Sequence, residues 1–285
     1  MQRLSDNTLR GALLLILGEL LLAVMAAMIK HVSAELPSEV IVFFRNLLGL
    51  MILMPMLINH GGLRGLRTRR IGIHLFRAAT GVAAMFCFFY VIAHVPLAEA
   101  VLVKMTAPFF LPLVGWLWLN DRLDSRTFWA IVVGFIGVAI VLRPAGDPNP
   151  VLLVALLGAL LMSLAKVSIR RMADTEPPRR IIFWFGVFST LISAIPLAWA
   201  RPLPAAEHWP WLIGIGLLAT VAQLAMTTAY QIATPGRIGV YNYTSVVWAA
   251  VLGWMFWGEL LHWTTVAGMA VIVAAGVWNL QKKKV

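Results

Sequence analysis

Three charged residues lie deep within apolar stretches that are long enough to cross a membrane: Glu19, Arg45 and Lys104. A charge at the centre of the hydrocarbon costs about 2.5–3.5 kcal/mol on insertion scales, so each needs a partner or a polar cavity. Two cations and one carboxylate around a shared cavity would suit a zwitterion or an organic anion, and Glu19 could also bind a proton. The alternative is a structural ion pair between Glu19 and Arg45 or Lys104.

Uncharged polar residues in the apolar stretches could hydrogen-bond the same ligand: Tyr90, Gln223, Asn242, Tyr243 and Ser245. Each could equally form hydrogen bonds that hold neighbouring helices together.

Two prolines follow Lys104 closely and are candidate gate elements. Pro108 and Pro112 are expected to kink their helix, because proline lacks the N–H that a helix interior requires. Arg77 and Lys166 lie nearer the ends of their stretches, so we expect their side chains to extend to the membrane interface.

The sequence contains no motif that is typical of catalysis or of cofactor binding. We find no Gly-rich phosphate loop, no metal-ligand spacing of His and Cys, and no paired nucleophile and base. The sequence therefore predicts no enzyme activity, no cofactor and no metal. The net charge of +11 does not indicate nucleic acid, because the basic residues are divided among short loops between apolar stretches.

The composition requires lipid as a solvent. Hydrophobic residues make up 61% of the 285 residues and charged residues only 12%, whereas soluble domains average about 25% charged. Apolar runs of about 18–23 residues match helices that cross the hydrocarbon. They predict an all-α integral membrane protein with ten spans, at about 11–32, 37–58, 71–94, 97–119, 127–143, 150–171, 180–200, 210–233, 237–258 and 263–280.

The distribution of basic residues orients these spans. With the N-terminus inside, the outer side holds Lys30, Arg143 and Arg201, and the spans hold Arg45, Arg77, Lys104 and Lys166. The remaining 16 of the 23 basic residues then lie on the inner side. The positive-inside rule therefore predicts that both termini are cytoplasmic.

The two halves of the chain resemble each other at a nearly constant offset. At 140 residues, Gly18 falls on Gly158 and Pro37 on Pro177; after Tyr90 the offset shortens to 138, which aligns Gly115 with Gly253. Residues 1–145 and 146–285 then form two five-helix repeats. Because each repeat has an odd number of spans, the second is inserted in the membrane in the opposite orientation to the first. Inverted repeats are typical of secondary transporters with a site near the midplane. Glu19, Arg45 and Lys104 have no charged counterpart in the second half, which favours function over architecture.

Several segments resemble the ten-helix EamA-type members of the drug/metabolite transporter superfamily: Phe43-Phe44-Arg45-Asn46, His94-Val95-Pro96-Leu97-Ala98-Glu99-Ala100, Thr106-Ala107-Pro108, Gly115-Trp116 to Arg122, Tyr241-Asn242-Tyr243-Thr244-Ser245 and Gly258-Glu259. The resemblance covers nearly the whole chain. It implies a secondary transporter of the bacterial inner (plasma) membrane, with a small-molecule substrate and the lipid bilayer as partners.

The resemblance favours an exporter of amino acids or similar small amphipathic metabolites that works by alternating access. The alternative is an importer or exchanger of an anionic or nucleotide-derived metabolite, and a more remote alternative is an intramembrane enzyme. A proton is a candidate coupling ion, and small residues in the fifth and tenth spans fit either a monomer or a homodimer.

Overall fold

A computed structural model describes residues 2–59, 66–120, 123–142, 150–172, 174–233 and 238–280. Within these ranges the chain is helical and contains no strand. The helices are α1 (Gln2–Val32), α2 (Ser38–Asn59), α3 (Ile71–His94), α4 (Leu97–Lys104), α5 (Ala107–Leu119), α6 (Ser125–Leu142), α7 (Pro150–Met172), α8 (Pro178–Leu197), α9 (Trp209–Ile232), α10 (Thr244–Trp257) and α11 (Trp263–Leu280). Two 3₁₀ turns, Ala206–His208 and Gly239–Tyr243, precede α9 and α10.

Among the described residues, seven helical stretches are long and apolar enough to cross a membrane, and two further apolar helices are shorter. When α4 and α5 count as one span, and the 3₁₀ turn Gly239–Tyr243 and α10 as another, the helices correspond to the ten predicted spans. The protein is therefore an all-helical integral membrane protein. The end of the bundle that carries the α1–α2 and α10–α11 connections is called the outer end below, after the predicted orientation.

Two spans differ from the prediction because they are interrupted. The predicted span 97–119 is not one kinked helix: α4 ends at Lys104 and α5 begins at Ala107. Pro108 lies at the start of α5, where its missing N–H is tolerated, and it cannot donate to the Lys104 carbonyl four residues before it. The predicted span 237–258 begins instead with a 3₁₀ turn and becomes α-helical only at Thr244.

The helices pack in a regular arrangement. Helix α1 packs against α9 and α10, while α3 packs against α7 and α8. Helix α2 contacts α8 and α9, α7 contacts α4 and α5, and α10 contacts α4. The interrupted spans therefore lie in the middle of the bundle, between α1 and α7.

Small residues allow the closest of these approaches. A Cβ at Gly18 would lie 2.6 Å from Met226 of α9, and one at Gly158 would lie 2.9 Å from Cys87 of α3. Helices α6 and α11 meet through Gly137 and Gly268, where a Cβ would lie within 3 Å of Ile272 and Val141, respectively. The small residues of the fifth and tenth spans are thus used for packing within the chain.

Candidate functional site

Lys104 is the last residue of α4 and lies at the interruption of its span. Its ammonium group is 4.6 Å from the centre of the Phe88 ring, a cation–π distance. At the interruption, the hydroxyl group of Thr106 donates to the carbonyl of Val103 at 2.6 Å. On the α7 side, Ser163 donates to the carbonyl of Ala107 at 2.9 Å. The end of α4 is thus held by side chains where the helical hydrogen bonds cease.

The second interrupted span meets the first at Ser245, in the first turn of α10. The Ser245 hydroxyl is 2.8 Å from the Asn242 carbonyl oxygen and 3.6 Å from the sulfur of Met105, the residue that follows Lys104. Asn242 itself donates to the carbonyl of Gly239 within the 3₁₀ turn at 3.0 Å. The ends of both interrupted spans therefore lie side by side.

Glu19 projects from α1 toward this junction. It is 3% exposed and lies within electrostatic range of Ser245, Lys104 and Lys166. The helical repeat places Glu19 on the buried face of α1, opposite the exposed Leu13 and Leu17. Glu19, Lys104 and Ser245, predicted separately from sequence, are thus brought together.

Lys166 joins the same group, contrary to the prediction that it extends to the membrane interface. It lies on the face of α7 that carries the buried Ala159 and Ser163, one turn beyond Ser163 and opposite the exposed Leu153 and Leu157. Its side chain is exposed even though it lies within electrostatic range of the buried Glu19. The open space beside Lys166 is therefore inside the bundle.

Arg45 lies farther from the junction but within electrostatic range of Lys104. Its guanidinium donates to the amide oxygen of Asn46 at 3.0 Å, and the Asn46 amide group contacts Ser193 of α8 at 3.4 Å. In the part of the chain that the structure describes, Arg45 forms no ion pair with a carboxylate. The predicted structural pair of Glu19 with Arg45 is not formed.

We call Glu19, Arg45, Lys104 and Lys166 the central cluster. It holds three cations and one carboxylate, and no two of these groups form an ion pair within 4.0 Å among the described residues. At about 2.5–3.5 kcal/mol for each charge at membrane depth, two uncompensated cations are costly. A ligand with carboxylate groups would offset this cost.

Comparison with known proteins identifies the family. The model of the EamA-like transporter family matches residues 9–143 and again residues 149–280. The chain belongs to the EamA-like transporter family. It is similar to a pseudopaline exporter of Pseudomonas aeruginosa, with 32% identity over 96% of this chain and 97% of the relative.

Other relatives of this EamA-family chain have different names. A riboflavin transporter of Brucella anthropi is 28% identical over 87% of this chain and 89% of its own, and an S-adenosylmethionine uptake transporter of Rickettsia prowazekii is 23% identical over 90% and 87%. A solved crystal structure with 18% identity superposes with a TM-score of 0.65 over 96% of both chains, which shows the same fold. The protein is a transporter of a small molecule, and the names of its relatives include both export and uptake.

The remaining predicted residues of this EamA-family protein lie outside the central cluster. The rings of Tyr90 and His94 are tilted to each other, with centres 4.1 Å apart, and Tyr90 lines a pocket of about 520 Å³ at the outer end, together with Glu39 and Trp199. Gln223 is exposed on α9. Tyr243 is buried with its hydroxyl group against Gly276 of α11, so packing accounts for its position.

An ion pair joins separate segments at the outer end of the bundle, which sequence reasoning did not predict. Lys30, at the end of α1, pairs with Glu259, between α10 and α11, and also donates to the carbonyl of Val95 at 2.8 Å. The other carboxylate oxygen of Glu259 accepts the backbone N–H of Leu97 at 2.8 Å. This group, called the outer latch below, ties three segments of the chain together.

A second polar group ties segments at the opposite end. Glu176 accepts hydrogen bonds from Thr68 at 2.7 Å and from Arg180 at 2.9 Å, and its carboxylate is 3.6 Å from His74. Burial alone would raise the pKa of Glu176, but these hydrogen bonds and the positive charge of Arg180 outweigh burial and hold the pKa below its usual value. Nearby, the guanidinium of Arg77 lies 4.1 Å from the centre of the Phe185 ring.

Among the described residues, one group has metal-like spacing: Glu35, Glu207 and His208, whose ligand atoms all lie within 4.8 Å of one another. The backbone N–H of Ala205 donates to Nδ1 of His208 at 3.0 Å. Nε2 must then carry the proton of a neutral ring, and it is 2.7 Å from the Glu35 carboxylate. Both ring nitrogens are engaged, so this arrangement is better suited to a hydrogen bond than to a metal ion.

Proposed function

We propose that the protein is a secondary transporter that exports amino acids or similar small amphipathic metabolites by alternating access. The observation that carries this proposal is the central cluster, where unpaired cations and a buried carboxylate meet at two helix interruptions. Helix interruptions near the midplane commonly form substrate sites in transporters. The name of the pseudopaline exporter supports the direction.

We infer that residues 1–145 and 146–285 are inverted repeats. Several observations support the inference. The packing of α1 on α9 has its counterpart in the packing of α7 on α3, and Gly18 and Gly158 occupy equivalent close contacts. The interrupted spans both end in a left-handed residue, Asn120 and Gly258, separated by the repeat offset of 138. Two halves related in this way can exchange conformations, so that the binding site opens to one side of the membrane and then to the other.

Alternating access needs contacts that break at one end. The outer latch is suited to this role, because Lys30 belongs to the first half and Glu259 to the second. When the halves separate at the outer end, this ion pair must open. Glu19 is the candidate for proton coupling, since it is the one carboxylate within electrostatic range of Lys104 and Lys166 among the described residues.

A second candidate function uses the same binding site for a different class of solute. The excess of cations over carboxylates in the central cluster favours an anion, and relatives named as uptake transporters favour import. The alternative is therefore an importer or exchanger of an anionic or nucleotide-derived metabolite. In either case we place the protein in the bacterial inner membrane with both termini in the cytoplasm, as a monomer or homodimer.

A ligand screen on the purified protein tests the proposal. Amino acids, organic acids and nucleosides are added singly, thermal unfolding is measured, and each stabilising compound is tested again with a Glu19→Gln variant across pH. We expect carboxylate-bearing amino acids to raise the midpoint, since a ligand that binds only the folded state stabilises it. Stabilisation by nucleosides alone would favour the second function.

A further inference from the structure

Lys166 changes the charge that the central cluster presents to a ligand. A zwitterion such as a neutral amino acid needs one carboxylate and one cation from the protein. Glu19 and Lys104 supply these two charges, and Arg45 and Lys166 then remain. Among the described residues, neither Arg45 nor Lys166 has a carboxylate within ion-pair distance. The site therefore holds more positive charge than a zwitterion can neutralise.

Lys166 lies on the face of α7 that is turned toward the interior of the bundle rather than toward lipid. Three turns of α7 carry Ala155, Ala159, Ser163 and Lys166 on one face, and the first three are buried. Ser163 contacts the carbonyl of Ala107, three residues from Lys104. Lys166 follows one turn later and is exposed, so this residue borders open space next to the junction.

A structural role would leave Lys166 with a fixed partner. The structure supplies such partners to other basic residues: Lys30 pairs with Glu259, and Arg180 with Glu176. Arg77 lies over the Phe185 ring and donates to the carbonyl of Ile181. No hydrogen bond, ring contact or ion pair of this kind engages Lys166 within the described segments. A free ammonium group beside two further cations is suited to binding an anionic group that arrives with a ligand.

We propose that Lys166 is a substrate-binding residue and that Lys166, Lys104 and Arg45 together select a solute with two carboxylates. Glu19 then binds the amino group of the same solute. The cargo class is thus a small amino dicarboxylate. This inference rests on the proposed transport function and narrows it. It also combines the two cargo classes considered above, because such a molecule is both an amino acid and a net anion.

Counterflow in proteoliposomes tests this selectivity with a matched pair of solutes. L-Glutamate and L-glutamine have nearly the same size and differ by one carboxylate, and L-aspartate and L-asparagine form a second pair. We expect the wild-type protein to exchange the dicarboxylates about tenfold faster than the amides, the factor that one charge-assisted hydrogen bond provides.

The variant Lys166→Gln should slow exchange of the dicarboxylates about tenfold and change exchange of the amides less than twofold. Lys166→Arg keeps the charge and should retain most of the dicarboxylate exchange. Arg171→Gln, which removes one charge from the end of the same helix, is the control and should change neither.

Each contrary outcome has a distinct meaning. If Lys166→Gln slows both members of a pair equally, Lys166 is structural and the inference is wrong. If the wild type prefers the amides, or moves only solutes with one carboxylate or none, the inference fails and the transport function stands. If the wild type exchanges no solute of any class, both fail together.

Discussion

At the scale of single residues, the central cluster is defined by charges without fixed partners. Lys104 contacts the ring of Phe88 but no carboxylate among the described residues. A buried lysine whose role is only structural would be stabilised by a carboxylate partner. The unpaired ammonium group is therefore the feature that most directly requires a ligand.

Replacing Lys104 by Gln should abolish most transport of carboxylate-bearing solutes. Loss of a charge-assisted hydrogen bond costs about 1.5–3 kcal/mol, so we expect solute affinity to fall tenfold or more, with folding retained because an unpaired buried charge is removed. The measurement is uptake into proteoliposomes at several solute concentrations. Arg67→Gln removes an equal charge from an exposed position and is the control. Equal transport by Lys104→Gln and Arg67→Gln would contradict the role of Lys104.

Replacing Gly276 by Ala should destabilise the protein. A Cβ at this position would lie 1.6 Å from the hydroxyl oxygen of Tyr243, and overpacking of this kind costs about 1–3 kcal/mol. Gly72→Ala is the matched control, because nothing lies within 4 Å of its Cβ position. Thermal unfolding in detergent compares the two variants. A Gly276→Ala protein as stable as Gly72→Ala would mean that Tyr243 does not pack as described.

Sequence reasoning found part of the cluster and missed part, for physical reasons. The depth of Glu19 and Lys104 within apolar stretches was enough to single them out. Depth alone misled for Lys166, since it does not say whether a side chain points along the helix or inward. The helical repeat that aligns Lys166 with Ala159 and Ser163 was visible in the sequence and could have corrected the prediction.

At the scale of helices, the interruption after Lys104 is the feature that positions the site. Pro108→Ala would restore an N–H that can donate to the Lys104 carbonyl and join α4 to α5. We expect transport to fall severalfold while thermal stability changes by no more than about 1 kcal/mol, because the added hydrogen bond is offset by the greater freedom of the unfolded chain. Pro178→Ala, at the start of α8, is the control for proline in a first helical turn. Unchanged transport by Pro108→Ala would contradict a role for the interruption.

The outer latch should behave as a coupled pair. Glu259→Gln leaves Lys30 largely buried without its partner, which costs about 3–5 kcal/mol. Adding Lys30→Met should recover much of this stability, because no charge then remains to be buried. A double-mutant cycle measured by thermal or denaturant unfolding checks the coupling. Additive effects of the two substitutions would show that the latch contributes nothing as a pair.

Helix positions were predicted well, whereas helix interruptions were not. Long apolar runs located the spans to within a few residues for most helices, because hydrophobic length is set by the bilayer. The 3₁₀ turn Gly239–Tyr243 was read as a continuous helix. The turn contains no proline that would have predicted it. Its geometry depends on tertiary contacts, such as that between Tyr243 and Gly276, two residues that lie far apart in the sequence.

At the scale of the whole molecule, the charge distribution predicts the orientation in the membrane. In a Cys87→Ser background, a cysteine at Ala34, between α1 and α2, should react with an impermeant thiol reagent in intact cells. A cysteine at Asp174, between α7 and α8, should react only after permeabilisation. Both positions are exposed, so burial does not bias the comparison. The reverse pattern of labelling would invert the proposed topology.

The central claim is that the central cluster binds and moves a carboxylate-bearing solute across the membrane. Solute-dependent counterflow in proteoliposomes, measured for wild type and Lys104→Gln with the best ligand of the screen, tests it most directly. The account predicts accumulation of labelled solute by the wild type, and a loss of at least tenfold in the variant at a limiting solute concentration. Equal counterflow by both proteins, or lipid turnover without any solute flux, would contradict it.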